Sequence, residues 1–431
     1  MPTRQSPAGG TLVGPSAERM ARFSYNTRVP KPEFPVQRLN PGPKGSWWRW
    51  CASGIALVVA FLIAALLVNW VRPGTLHLPN RLLTRIRSAE LSSLDPIDAH
   101  THVSQTGPAF TAMLARLHMH VLDILYVDDT TPYRTSTEPQ RQDALKFLAS
   151  SMGHAQLCTT FDPFRFQSAG FSKEAIDSLN RDFDRGAVAV KIWKNVGMEI
   201  RTASGQYLMP DDPVFDPIYK DIAAHHKTLI AHVAEPDAAW DPKGFYARYY
   251  AANPQWDMST KPGAPEKNAI IRARDHLLAM YPGLRVVGAH LGSMEASLDD
   301  IAARFELYPN FAVDTAARVP SLTMQTRDKV RAFILKYQDR ILYGTDLNFY
   351  SGRSDQAASQ IWERQYALDW RYFATDDRFE YQGRKVEGLD LPRAVLKKVY
   401  RENAIHWIPG IDGNSAGGPA RDFSQTRQPT P

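Results

Sequence analysis

Residues 96–103 read PIDAHTHV, a short apolar run that carries two histidines, His100 and His102, at alternate positions. The run predicts a buried β-strand, because short apolar stretches bounded by turn residues are typical of such strands. Side chains at positions i and i+2 of a strand point to the same side. We therefore expect both imidazoles to reach one common point.

Seven further apolar runs follow and alternate with helix-like stretches. The predicted strands are 96–100, 120–127, 155–161, 187–193, 228–233, 285–290, 311–315 and 340–345, and the helices include 138–151, 172–184, 214–225, 266–281, 295–307 and 325–337. Eight strand–helix alternations over about 320 residues are the size and rhythm of a (β/α)8 TIM barrel. A doubly wound sheet is the alternative, and the polar residues at the strand ends favour the barrel.

Chemically active side chains recur where these predicted strands end. His232 (IAHVAEP), His290 (VGAHLGS) and Asp346 (LYGTDLN) follow strands five, six and eight, and Lys191 (VAVKIWK) lies near the end of strand four. The carboxyl ends of all barrel strands meet at one mouth, where barrel enzymes place their active sites. Imidazole and carboxylate are good ligands for zinc or a similar divalent ion. Together with the first two histidines, these residues predict a metal site in which Asp346 also acts as the general base.

A second His-x-His pair, His118 and His120 (LHMHVLD), precedes the apolar run of strand two. It therefore belongs to the opposite end of the barrel, where residues serve stability. We interpret this pair as structural.

The charge distribution argues against nucleic acid as a partner. The net charge is +6, and residues 1–50 alone hold eight Lys or Arg against two Glu, which accounts for all of it. Residues 51–431 are balanced and offer no electrostatic footprint for a polyanion. We expect a small-molecule substrate instead.

The run from Trp50 to Val71 contains no charged residue. At about 1.5 Å per residue it is long enough to cross the roughly 30 Å hydrocarbon core of a bilayer. Tryptophans flank both ends, as in interfacial aromatic belts. The sequence predicts a transmembrane helix through residues 50–71, with the basic N-terminus in the cytoplasm and the rest exported to the periplasm or the extracellular space.

These features predict five segments along the chain. Residues 1–46 form a disordered basic tail, 47–72 the anchor, 73–93 a linker, 94–411 the barrel domain and 412–431 a second low-complexity tail. Both tails are rich in residues that disfavour a packed core.

The motifs IDAHTH, VKIWK, IAHVAEP, GAHLGS and YGTD resemble the amidohydrolase superfamily, in particular its amidohydrolase-related ("amidohydrolase 2") branch. The resemblance covers residues 94–411 and implies a metal-dependent hydrolase. It implies that His100, His102 and Asp346 bind one metal, most simply Zn²⁺. In binuclear members a carboxylated lysine bridges two ions and two later histidines hold the second, roles that fall to Lys191, His232 and His290. In mononuclear members the lysine is not a ligand, and His290 polarises the substrate carbonyl or positions water.

The resemblance further implies cleavage of an amide, ester or lactone bond by water that the metal activates. Asp346 takes the water's proton and delivers it to the leaving group, and His290 steadies the oxyanion. A loop at 234–265 is rich in aromatic residues and suits a lid over the substrate. The predicted substrate-binding residues are Lys194, Asn195, Trp240 and Arg318.

Two other functions are compatible with the sequence. One is a non-oxidative decarboxylase with a single metal ion, because this branch contains both kinds of enzyme. The other is a membrane-tethered binding protein that kept the barrel but lost catalysis. An oligomer is compatible with all of these readings.

Overall fold

Residues 88–128, 137–350 and 352–413 are described by the computed structural model. The predicted anchor, the N-terminal tail, most of the predicted linker and all but two residues of the C-terminal tail lie outside these residues. In the part of the chain that is described, no helix is long and apolar enough to cross a membrane.

A curled parallel sheet of nine strands organises the described residues. All eight predicted strands are confirmed, with ends that differ by a few residues. Their order in the sheet is β8-β7-β6-β5-β4-β3-β2-β1-β9, so each strand from β1 to β8 lies beside its sequence neighbour. The strands are β1 (Ile97–Val103), β2 (His120–Ile124), β3 (Ala155–Thr160), β4 (Ala189–Ile192), β5 (Thr228–Ala231), β6 (Arg285–Gly288), β7 (Phe311–Asp314), β8 (Ile341–Leu342) and β9 (Leu347–Phe349).

The two ends of the sheet come together through one stretch of chain. β8 pairs with β7. After four intervening residues the chain forms β9, which pairs in parallel with β1. Between them, the Ala99 N–H donates to the Tyr343 carbonyl (2.9 Å) and the Asp346 N–H donates to the His100 carbonyl (2.8 Å). This curled α/β sheet is consistent with a TIM barrel.

Helices follow the strands along the chain and cover the outer face of the sheet. The six helices predicted between strands are confirmed. The helices Pro108–Leu117, Phe245–Ala252 and Asp355–Ala374 and the antiparallel strands Arg378–Tyr381 and Arg384–Glu387 were not predicted. The helices are α1 (Pro108–Leu117), α2 (Thr137–Ser150), α3 (Phe171–Asp184), α4 (Asp216–Ala224), α5 (Phe245–Ala252), α6 (Lys267–Met280), α7 (Leu298–Leu307), α8 (Arg327–Lys336) and α9 (Asp355–Ala374), followed by β10 (Arg378–Tyr381), β11 (Arg384–Glu387), α10 (Arg393–Lys397) and α11 (Asn403–Trp407).

Alternating side chains of the strands fill two separate apolar clusters. The first cluster includes Val121, Leu229 and Val286, which pack outward against the helices. Leu122 and Val287, one position along, pack on the concave face together with Trp407. The Thr228 hydroxyl at the start of β5 donates to the Trp407 carbonyl (2.5 Å), which places the C-terminal helix under the amino ends of the strands. The carboxyl ends are thereby left as the accessible mouth.

Candidate metal centre

The residues predicted to bind metal converge at the carboxyl ends of the strands. His100 and His102 lie within β1 and Lys191 within β4; His232 comes directly after β5, His290 lies two residues beyond β6, and Asp346 lies between β8 and β9. The ring of His290 is central: its centroid lies 4.3 Å from that of His232 and 4.8 Å from that of His100. Four imidazoles from three distant parts of the sequence thus form one cluster.

A β-bulge in β1 aims the first two histidines. Asp98 pairs with Val121 and Thr101 with Asp123, so three steps along β1 match two along β2. Such an extra residue bends the strand and redirects the following side chains. As a result His100 and His102 both face Asp346, whose Oδ1 lies 3.7 Å and 3.3 Å from their respective Nε2 atoms.

Hydrogen bonds fix which nitrogen of each ring carries the proton. The Nδ1–H of His102 donates to the Ile124 carbonyl (2.7 Å), and the Nδ1–H of His290 donates to the Ala316 carbonyl (2.8 Å). A carbonyl can only accept, so both Nε2 atoms keep a lone pair. In the described residues the Nε2 of His232 is buried without any hydrogen-bond partner. An unpartnered buried nitrogen is costly unless a ligand satisfies it.

Burial keeps the imidazoles of His100, His232 and His290 neutral. It lowers the pKa of His100, and it lowers the pKa values of His232 and His290 well below the usual value. Nearby cations act in the same direction, since Lys191 lowers the pKa of His100 and Arg318 lowers those of the other two. Neutral imidazole is the form that binds metal ions.

Asp346 supplies the negative charge of the cluster. Burial raises its pKa, but the combined effect of His290, His102 and His100 outweighs burial and lowers it. Its backbone is left-handed (φ 64°), an uncommon conformation for a non-glycine residue that often marks functional sites. A carboxylate and three or four imidazoles fit a divalent ion such as zinc.

Lys191 lies inside the cluster and is 1 % exposed. Its Nζ donates to the Nε2 of His100 (3.1 Å). Burial lowers its pKa, which favours the neutral amine that carboxylation requires. The position is therefore compatible with a carbamate that faces the metal ligands.

Asp314, at the end of β7, was missed by the sequence analysis although it contacts two of the candidate ligands. Its Oδ2 accepts from the Nδ1–H of His100 (2.8 Å), and its Oδ1 accepts from the backbone N–H of His290 (2.8 Å). The available signal was an aspartate at the end of a predicted strand, in the stretch FAVDT.

The turn that carries His290 is left-handed over four residues. The φ angles are 59° at His290, 57° at Leu291, 63° at Gly292 and 61° at Ser293. Left-handed backbone costs on the order of 1–2 kcal/mol for each non-glycine residue. Buried Arg274 of α6 compensates by donating to the Gly292 carbonyl (2.7 Å), so this helix helps to hold the histidine in place.

Two of the predicted substrate-binding residues carry charge into the mouth. Buried Lys194 forms an ion pair with Glu235 and lies 4.1 Å from the ring centroid of Trp256. Arg318 lies 3.9 Å from Glu295 and lowers the pKa of both His232 and His290. Both cations are therefore close to the candidate ligands.

The other two predicted substrate-binding residues hold backbone in place. The amide of Asn195 donates to the Val127 carbonyl (2.7 Å), and the indole N–H of Trp240 donates to the Pro265 carbonyl (2.8 Å). Their polar groups support the loops that line the mouth.

His120, of the second His-x-His pair, begins β2 and is thus at the opposite end of the sheet from the cluster. Its Nε2 lies 3.3 Å from Asp95, which Arg401 also contacts (2.6 Å). This arrangement agrees with a structural role.

Comparisons with known proteins place the chain in a family. Similar solved structures include the 2,6-dihydroxybenzoate decarboxylase from Rhizobium (15% identity, 72% of this chain and 98% of that chain, TM-score 0.42). They also include the 4-oxalomesaconate hydratase from Rhodopseudomonas palustris (12%, 74% and 97%, 0.42) and an amidohydrolase from Pseudomonas aeruginosa (12%, 76% and 99%, 0.37). No curated protein matches the chain significantly. A family model described as amidohydrolase (Amidohydro_2) matches residues 97–409, well over half of the chain, and the chain belongs to this amidohydrolase family.

Proposed function

We propose that the chain is a metal-dependent hydrolase on a (β/α)8 barrel that cleaves an amide, ester or lactone bond. One observation carries the proposal: ligand atoms of His100, His102 and Asp346 lie within 4.8 Å of one another, and the buried Nε2 of His232, whose ring lies beside that of His290, has no partner among the described residues. Such a donor set is typical of zinc or a similar divalent ion.

His100, His102 and Asp346 would hold one ion, and His232 and His290 would complete its shell or hold a second ion with carboxylated Lys191. When bound, the ion supplies Lewis-acid polarisation and makes water acidic enough to ionise near neutral pH. The Nδ1–H of His290 is engaged by Ala316 and its Nε2 has no proton to donate. This bond favours a ligand role for His290 over a role as hydrogen-bond donor to the oxyanion.

Asp346 is the residue placed to move the proton. Its Oδ1 faces both histidines of β1, and its lowered pKa keeps the carboxylate ionised. It would take the proton of the attacking water and return it to the leaving group.

Arg318 is the best placed of the four substrate-binding candidates. Its positive charge lowers the pKa values of His232 and His290, so the guanidinium lies near both rings. A carboxylate on the substrate could bind Arg318 while the scissile bond faces the histidine cluster. Lys194, Asn195 and Trp240 would shape the mouth around that substrate.

Non-oxidative decarboxylation is the second candidate, and Lys191 favours it. This reaction needs an acid that protonates the carbon left by CO2. As an ammonium, Lys191 could supply that proton from 3.1 Å beside the candidate ligand His100; as a neutral amine it could instead form the carbamate.

The experiment that separates the two candidates uses the full chain loaded with zinc or manganese. It is assayed on amides, esters and lactones, and on aromatic acids with detection of CO2. Hydrolysis that falls by two to four orders of magnitude in Asp346→Asn supports the hydrolase. Release of CO2 with no hydrolysis supports the decarboxylase. The matched control is Asp369→Asn, a buried carboxylate bonded to Tyr343 and Tyr381 instead of to histidines.

We also infer that residues 47–72 anchor the protein and that the catalytic domain is exported. The charge-free run between tryptophans and the basic segment before it support this inference. Extraction of membranes at high pH tests the anchor: an integral protein stays in the pellet, and release into the supernatant would refute it. Protease protection of the tail in intact cells tests the orientation.

A further inference from the structure

Asp314 is fully buried and uses both of its carboxylate oxygens at the candidate metal centre. Oδ2 accepts from the His100 ring, and Oδ1 accepts from the backbone N–H groups of His290 (2.8 Å) and Ala316 (3.0 Å). Ala316 in turn accepts from the His290 ring through its carbonyl. The end of β7 therefore contacts two candidate ligands, one on β1 and one in the turn that follows β6.

The contact with His100 determines the tautomer of that ring. A carboxylate oxygen accepts only, so the proton lies on Nδ1 and the lone pair lies on Nε2. The Nζ of Lys191 lies 3.1 Å from the same Nε2 and can donate to the lone pair that this tautomer leaves there. With the proton on Nε2 instead, His100 could not bind a metal through that nitrogen.

The contact with His290 acts on the backbone. The left-handed turn from His290 to Ser293 is unfavourable by itself, and Oδ1 of Asp314 holds its first N–H. Both oxygens belong to one rigid carboxylate, so a rotation that improved one contact would weaken the other. The positions of the two histidines are thus linked through a single side chain.

We propose that Asp314 is a positioning residue that fixes the Nδ1–H tautomer of His100 and, through the same carboxylate, the turn that carries His290. This inference rests on the proposed function, because it concerns residues expected to bind metal. Groups that orient metal-binding histidines typically contribute 10- to 100-fold in metal affinity.

Asp314→Asn is a selective test. The two backbone N–H groups require the amide oxygen of the new side chain, as they now require Oδ1. The amide NH2 then faces His100 in place of Oδ2 and can only donate, so the His100 proton must move to Nε2. We expect His290 to stay in place while His100 loses its ligand form.

The primary readout is ¹⁵N NMR of the histidine-labelled, metal-free full chain, in which protonated and unprotonated ring nitrogens have distinct shifts. The His100 signals are those missing from His100→Asn. We expect an Nδ1–H signal in the wild type, its conversion to Nε2–H in Asp314→Asn, and no change for His102, which the Ile124 carbonyl holds. The second readout is the affinity for Zn²⁺, which should fall 10- to 100-fold in Asp314→Asn and stay unchanged in Asp369→Asn.

An Nε2–H tautomer of His100 in the wild type would overturn the proposal, and this measurement does not require the variant to fold. Unchanged tautomer and affinity in a folded Asp314→Asn would also overturn it. If the wild type shows the expected tautomer but binds no metal, the proposed function fails while the positioning of His100 stands.

Discussion

Asp123 on β2 should make the protein less stable as pH rises, and replacing it should remove that effect. Its side chain is 1 % exposed; Oδ1 accepts from the Val103 N–H (2.8 Å), and Oδ2 has no partner among the described residues. Burial raises the pKa of this carboxyl from 3.8 to about 8. Between these values the folded protein holds a proton that the unfolded chain has released.

The sign follows from proton linkage. Unfolding releases a proton in this range, so the free energy of unfolding falls by about 1.4 kcal/mol for each pH unit. Asp123→Asn cannot titrate and loses this dependence. From pH 5 to pH 7 the variant should therefore gain about 2–3 kcal/mol relative to the wild type, whatever constant effect the amide itself has.

The assay is urea unfolding of both proteins, metal-free, at pH 5, 6 and 7. The quantity to compare is the pH dependence of the difference in unfolding free energy between the two proteins. Any pH-independent effect of the new amide group cancels from this dependence. A difference in unfolding free energy that stays constant over this range would show that Asp123 is ionised in the folded protein, and the reasoning would be wrong.

Three further predictions concern buried polar groups. Arg274→Met should lower the free energy of unfolding by about 1–3 kcal/mol in urea titrations, because the Gly292 carbonyl loses a donor and Asp275 keeps only Arg304 as an ionic partner. An unchanged free energy of unfolding would contradict this. Lys194→Met should lower the free energy of unfolding by about 3–5 kcal/mol, because Glu235 stays buried and charged without its partner. Adding Glu235→Gln should recover part of this loss. If the two single losses simply add in the double variant, the two residues are not coupled and the prediction is wrong. Burial raises the pKa of the Cys158 thiol and shields it from reagents. In a Cys51→Ser background, a thiol reagent should therefore react only after urea unfolds the chain. Fast reaction with the folded protein would show that Cys158 is not buried.

Strand positions were predictable because each buried parallel strand is a short apolar run. Stretches such as 228–233 and 311–315 contain the observed strands β5 and β7 within a residue or two at each end. The alternation of strand and helix then gave the topology, since sequential neighbours pair in this fold. The convergence of His100, His232 and Asp346 followed from that topology.

Helix α9 was missed although it is the longest helix among those described. Its buried residues include Trp362, Tyr366 and Trp370, spaced by four, but the polar residues Gln365 and Asp369 lie beside them. These two bond to each other and to Tyr381, which lies beyond the helix. Pattern alone does not reveal a polar side chain that is buried with its hydrogen bonds completed elsewhere in the fold.

The sequence predicted which candidate ligands come together, but it did not predict the residues that hold them in place. His100 and His102 could be found from their spacing, but the bulge that aims them arises from pairing between β1 and β2. Asp314 contacts His100 across 214 residues of sequence, and Arg274 acts through a backbone carbonyl. Such contacts depend on three-dimensional neighbours, which local sequence does not specify.

The central claim is that the histidine cluster binds a divalent ion. Elemental analysis of the full chain, loaded with zinc and dialysed, tests it most directly, with His100→Ala, Lys191→Ala and His120→Ala as the matched set. We predict one or two ions per chain in the wild type and in His120→Ala, and loss of metal in His100→Ala; a fall from two ions to one in Lys191→Ala would identify the carboxylated lysine. A folded wild-type chain that retains no metal after loading with zinc or manganese would contradict the account.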